Sequence, residues 1–175
     1  MGFWAFDSLS RWVAHTLEQH LASQRHLLRD SFDFATRVRG HPLPPESALH
    51  RIDLKHFFMS GTPSELAELS TQIIPDGRLR TLVHDAILWL LQNQFVQKGT
   101  LLRRVIRGSG VGLAHSSAVA DADFWALGDR WILQVDLQSK FGVQSYCRFR
   151  NIFYICRASG SQTLCAWLCA MYTCI

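Results

Sequence analysis

The chain has 175 residues, of which 48% are hydrophobic and 18% charged, a balance that excludes a disordered polymer and fits one domain around a single core. No uncharged apolar run approaches the roughly 18 residues a spanning helix needs, and the expectation is an intracellular protein without a secretory leader. The net charge of +4 is unevenly placed: ten Lys/Arg meet ten Asp/Glu up to residue 100, and eight meet four beyond it.

Over residues 3–29, Phe6, Leu9, Val13, Leu17, Leu21 and Leu28 recur at mostly helical spacing, predicting an amphipathic helix. His15, His20 and His26 lie five and six residues apart on it, so they share no face and read as surface residues. A short helix over 30–38 ends before the breaker His41-Pro42-Leu43-Pro44-Pro45. Residues 49–58 read as a strand whose apolar residues flank a lone aspartate, Asp53. In Thr62-Pro63-Ser64-Glu65 the spacing is that of a capping box, with Thr62 at the N-cap and Pro63 at the first helical position. Leu66, Leu69 and Ile73 form the buried stripe of that helix, and Pro75-Asp76-Gly77 turns the chain.

The strongest periodicity is that of Leu79, Leu82, Val83, Ala86, Ile87, Leu90, Leu91 and Phe95, which predicts a core helix over 78–95. Gly99 breaks it, and 101–106 reads as a short strand. A Gly-rich turn at 108–112 leads into a helix of small residues over 115–128. Strands over 142–149 and 152–156 follow, joined by a tight turn at Arg150-Asn151. This order predicts an α+β fold, a small antiparallel sheet with helices on one face behind a helical N-terminus. Strand–helix alternation is too sparse for a doubly wound nucleotide fold.

The cationic surplus comes from Arg103, Arg104, Arg107, Arg130, Lys140, Arg148, Arg150 and Arg157, and it favours a polyanionic partner or a solvated basic face. All five cysteines lie late, at 147, 156, 165, 169 and 174, without the paired short spacings or a nearby histidine of a zinc site. They read as free thiols.

Three segments, in order, resemble the palm motifs of reverse transcriptases, nearest to the Penelope-like and group II intron branches. The first is Asp53-Leu54-Lys55-His56-Phe57-Phe58. The resemblance implies that Asp53 and the Leu54 carbonyl bind Mg2+, a hard cation that wants oxygen ligands on a rigid strand. It also implies that Phe58 packs under the sugar of an incoming dNTP. The second segment runs from Arg107-Gly108-Ser109-Gly110-Val111-Gly112 to Ala120-Asp121, a glycine loop leading into a helix. There Gly108 and Gly112 would let nucleotide and template approach the backbone closely. Gly110-Val111 and Ser116-Ser117 depart from the family pattern. The third is Tyr146-Cys147-Arg148-Phe149-Arg150-Asn151-Ile152-Phe153-Tyr154, the family's β-hairpin without its two turn aspartates. Asn151 stands where one would be, and the other is deleted.

The resemblance therefore implies RNA-directed DNA synthesis on an RNA template and DNA primer as the ancestral activity. Two metals must be clamped about 3.5–4 Å apart for that reaction, and Asp53 alone cannot hold both. The expectation is a polymerase fragment without activity, with Arg103, Arg104 and Arg107 as nucleic-acid contacts and Arg150 and Asn151 as a degenerate third motif. Fingers and thumb are expected to be missing. Residues 1–48 would form a helical segment, 49–157 the palm-like region, and 158–175 a divergent Cys-rich tail, either a misread junction or a docking helix. Two other readings of the same residues are a non-catalytic nucleic-acid-binding remnant and a helical interaction module.

Overall fold

A computed structural model describes residues 3–40, 47–55, 57–58, 60–110, 112–134 and 143–158. The breaker at 41–45, Lys140 and the tail from residue 159 onward lie outside the described residues. The chain divides into two compact units interleaved in sequence, Met1–Gln24 with His56–Leu127, and Arg25–Lys55 with Gly128–Ile175. The architecture is mixed α+β, with a helical N-terminal segment and a small antiparallel sheet. Among the described residues no helix is long and apolar enough to cross a membrane.

The first unit is helical. Helix α1 spans Phe3–Leu21, α3 Pro63–Ser70, α4 Gly77–Gln92 and α5 Ser116–Phe124, with a 3-10 turn at Thr71–Ile73. Helix α3 starts where the capping box puts it: the Glu65 N–H donates to Thr62 Oγ1 at 3.3 Å, and the Thr62 N–H donates to Glu65 Oε2 at 2.7 Å. Asp76 caps α4, its Oδ1 accepting from the Leu79 N–H at 2.8 Å, so the turn at Pro75-Asp76-Gly77 doubles as a helix start. Val13, Leu17, Ala67, Ile74, Val83, Ile87, Leu91, Val119 and Ala122 fill the core these helices share.

Two helix boundaries differ from the periodicity, for tertiary reasons. Helix α1 stops at Leu21 rather than 29, because the Leu28 N–H instead donates to the Arg148 carbonyl at 2.7 Å in the second unit. Helix α4 stops at Gln92, where the Asn93 side chain donates back to the Trp89 carbonyl. Phe95 therefore opens strand β2, Phe95–Lys98, which pairs with β3, Leu101–Arg104, around Gly99 at φ 62°. The strand expected at 101–106 is the second half of this hairpin. Leu82 belongs to the apolar repeat of α4 yet is 62% exposed.

The second unit holds α2, Ser31–Gly40, and a three-stranded antiparallel sheet ordered β1-β5-β4: β1 Ser47–Asp53, β4 Val143–Phe149 and β5 Ile152–Ala158. The tight turn at Arg150-Asn151 is as expected, with Arg150 in the left-handed region at φ 52°. Directly opposed residues share a face of a sheet. Tyr154, opposite Cys147, therefore stands on one face, and its ring packs on Phe34 of α2 at 4.3 Å between centroids. Tyr146 and Arg148 stand on the other face and reach Asp129. The face of Arg148 and Ile155 is the buried one, whereas on the other α2 meets Tyr154, and Leu49, Arg51 and Asp53 stay exposed. Asp129 closes a π-helical turn, Trp125–Asp129, where an unbroken helix had been expected over 115–128, and the single turn α6, Arg130–Ile132, follows.

Candidate functional site

Strand β1 ends at Asp53, which is paired in register with Ile152, the first residue of β5. That register brings the β4–β5 turn alongside the aspartate. The Leu54 N–H donates to the Asn151 carbonyl at 2.9 Å, extending the ladder by one rung. Asn151 Nδ2 donates to Asp53 Oδ1 at 2.6 Å. Asp53 is exposed, so this is a solvent-facing carboxylate held by one neutral amide.

The turn itself is pinned from below. Arg148 is wholly buried, and its Nη1 donates to the Arg150 carbonyl at 2.8 Å. Its Nε and Nη2 donate to Asp129 Oδ2 at 2.9 and 2.7 Å. Asp129 is buried as well and takes two further partners: the Tyr146 hydroxyl donates to Oδ1 at 2.5 Å, and His26 Nε2 lies 3.0 Å from Oδ2. Burial alone would push the Asp129 carboxyl up, but His26 and Arg148 outweigh it and hold it below its ordinary value. The Arg148 backbone joins in, its N–H donating to the His26 carbonyl at 2.9 Å.

Two expectations are corrected here. His26 is not a surface histidine, because its side chain is needed inside against Asp129. Arg148 is not part of a basic surface, because its charge is spent on a buried carboxylate. Asp129 was not singled out at all. A single Asp within Leu127-Gly128-Asp129-Arg130 carries no spacing that marks it, and only the fold brings it to Arg148.

Do these residues fit a magnesium pair? Hard dications take several oxygen ligands, commonly carboxylates. Here the end of β1 offers one carboxylate, Asp53, and Asn151 of the turn donates an N–H to it rather than adding a second carboxylate. Among the described residues no group of three or more His, Cys, Asp or Glu is arranged to hold a metal. The donor set does not fit, and no step through a metal follows from it.

In the first unit the loop 108–112 is tied down by its own network. The Gly108 N–H donates to the Gly61 carbonyl at 2.8 Å, and the Ser109 N–H to the Phe58 carbonyl at 2.8 Å. The Ser109 hydroxyl donates to Ser116 Oγ at 2.8 Å. Gly108 and Gly112 take φ of 77° and 95°, a region side chains rarely adopt. Backbone conformation thus accounts for both glycines, and the space beside Gly112 is open. Phe58 is half-buried, edge-on to Phe57 at 5.1 Å, with its carbonyl spent on the loop. The Gly110 N–H donates to Gln94 Oε1 at 2.9 Å, joining the loop to the base of the β2–β3 hairpin. On that side Arg103, Arg104 and Arg107 are exposed, though Arg104 Nε donates to the Gln92 carbonyl at 2.8 Å.

Three other titratable groups, His115 buried and Asp123 and Cys147 half-buried, have no role in either place. His115 sits at the start of α5 with Nδ1 2.8 Å from Ser10 Oγ, and burial pushes its imidazole down to about 4, so it stays neutral. Burial, helped by Glu65, pushes the Asp123 carboxyl up to about 7. Burial raises the Cys147 thiol to about 11, which disfavours its thiolate at neutral pH.

The chain matches no model of a known protein family. No curated protein sequence matches it.

Proposed function

We propose that the chain is a reverse-transcriptase palm, of the retroelement type, that has lost its metal pair and with it RNA-directed DNA synthesis. The observation that carries this reading is the 2.6 Å contact between Asn151 Nδ2 and Asp53 Oδ1. Two-metal nucleotidyl transfer needs the strand aspartate and the hairpin turn side by side, so that carboxylates from both can share the ions. Here the strand aspartate and the turn are side by side, and the turn supplies an amide. An amide N–H is the natural replacement partner for a carboxylate once no cation bridges the two positions. Asp53 would then be the last ligand of a former site, with the Leu54 carbonyl beside it.

In the same reading Phe58, Gly108 and Gly112 mark where a dNTP and the template once approached the backbone, and Arg103, Arg104 and Arg107 keep contact with RNA template or DNA primer. The loss of two preorganised charges explains inactivity, since removing one such group commonly costs about a hundred- to a thousandfold in rate.

The test is magnesium-dependent primer extension on an RNA template by the native chain and by a repaired one, with Asn151→Asp and one Asp inserted after Arg150. Extension by the repaired chain alone is the expected result. Extension by the native chain contradicts the loss of activity. A repaired chain that folds but neither extends primer nor binds Mn2+ overturns the palm assignment.

A further inference from the structure

The two edges of the three-stranded sheet are finished differently. At β4 the Leu28 N–H donates to the Arg148 carbonyl at 2.7 Å and the Arg148 N–H to the His26 carbonyl at 2.9 Å, so residues 26–28 run along that edge and close it. The β4 register is also broken between Val143 and Ser145, an irregularity of the kind that discourages further pairing. Strand β1 is the other edge, and its pairing with β5 is unbroken from Ser47 to Asp53. Among the described residues no strand or loop is paired along its outer side.

The register says which groups of β1 point outward. The Leu54 N–H donates to the Asn151 carbonyl, which makes that rung a hydrogen-bonded one. Antiparallel rungs alternate, so Ile52 turns its backbone groups toward β5, whereas Asp53, Arg51 and Leu49 turn theirs away from it. The side chains of the same three residues are exposed and lie on one face. Edge strands are commonly guarded by charged side chains. A guard against a second copy needs like charges, and Arg51 and Asp53 carry opposite ones.

A second copy meets such an edge antiparallel about a two-fold axis, and the centre of the pairing decides what faces what. Centred on Arg51, arginine opposes arginine. Centred on His50, Arg51 faces Leu49 and the charges stay unmatched. Centred on Ile52, Arg51 of each copy faces Asp53 of the other, and both residues have outward backbone groups to exchange. On the inner face Ile52 then meets Ile52 of the second copy. Opposite charges directly across a strand pair stabilise it, and like charges destabilise it.

We propose that β1 is the interface of a homodimer, two copies pairing antiparallel about Ile52 so that their sheets join into one. Asp53 Oδ1 accepts from Asn151 within its own chain, and Oδ2 takes the guanidinium of Arg51 from the second copy. The inference rests on the edge and register of β1, and it holds whether or not Asp53 once held a metal.

Sedimentation velocity of the whole chain over a concentration series tests this. The native chain should show a monomer–dimer equilibrium. Arg51→Glu leaves two acidic side chains at these positions and Asp53→Arg leaves two basic ones, so each variant alone should dimerise at least about tenfold more weakly. An equimolar mixture of the two variants should dimerise again, because each chain supplies the charge that the other lacks. Both positions are exposed, so unfolding midpoints near the native one certify the variants. A native chain that stays monomeric at every concentration overturns the proposal. Association that neither substitution weakens overturns it too, and moves the contact to another surface. So does a mixture of folded variants that remains monomeric. All three results leave the palm reading standing, since primer extension tests that separately.

Discussion

Asp53 and Asp129 belong to the same unit and are bonded to the same β-hairpin, yet their surroundings are opposite. Asp129 is buried and holds an arginine, a tyrosine hydroxyl and a histidine within 3.0 Å. Asp53 is exposed and its Oδ1 accepts from one amide. The first carboxylate is there for the fold, and its charge is fully matched where it sits. The second is offered to solvent, where a carboxylate is free to recruit something else. The comparison teaches that motif resemblance picks out carboxylates by position in a strand, whereas structural weight is set by what the fold packs around them.

The comparison breaks first at Asp129. Asp129→Ala removes the buried carboxylate that the Arg148 guanidinium donates to, which should destabilise the chain by about 3–5 kcal/mol. Urea unfolding at neutral pH measures it. Asp129 also gives the acid side of the stability profile a direction. Its folded pKa lies below the unfolded value, so its contribution is complete above the ordinary carboxylate range and is lost as pH falls through the folded pKa. The native chain should lose stability over that acid window, and the Asp129→Ala chain should lose less there.

At the other carboxylate the expected effect on stability is small. Asn151→Ala removes one exposed hydrogen bond to Asp53 and should shift unfolding by no more than ~0.5 kcal/mol, the usual range for surface positions. A change of several times that size would mean that the amide contact is part of the hairpin's structure rather than a remnant of a site. Asn151→Ala set beside Asp129→Ala therefore sharpens the contrast between the two aspartates.

How much of this was legible in the residues depends on whether the signal was local. The capping box at Thr62–Glu65 and the turn at Arg150-Asn151 are local chemistry, and both appear where the sequence puts them. The α+β class and the helical N-terminus follow from periodicity. Strand β2 was hidden because Phe95 continues the apolar repeat of α4, and only the Asn93 cap ends the helix before it. The Asp129 cluster was hidden for a stronger reason. His26, Asp129 and the Tyr146/Arg148 pair are far apart in sequence, and no spacing links the three places until the sheet forms. At the candidate site, the place of the turn was legible from the apolar strands on either side of it, but the contact of Asn151 with Asp53 required the β1–β5 register.

The claim that matters most is that the turn has lost a cation site through the replacement of a carboxylate by an amide. Mn2+ binding, followed by water-proton relaxation for the native chain and for Asn151→Asp, tests it most directly. Placing two carboxylates where the amide contact now stands should create an affinity for Mn2+ that the native chain lacks, since each would otherwise repel the other. Equal Mn2+ binding by the two chains, abolished in both by Asp53→Ala, would contradict the account, because the site would then be intact without the missing aspartate.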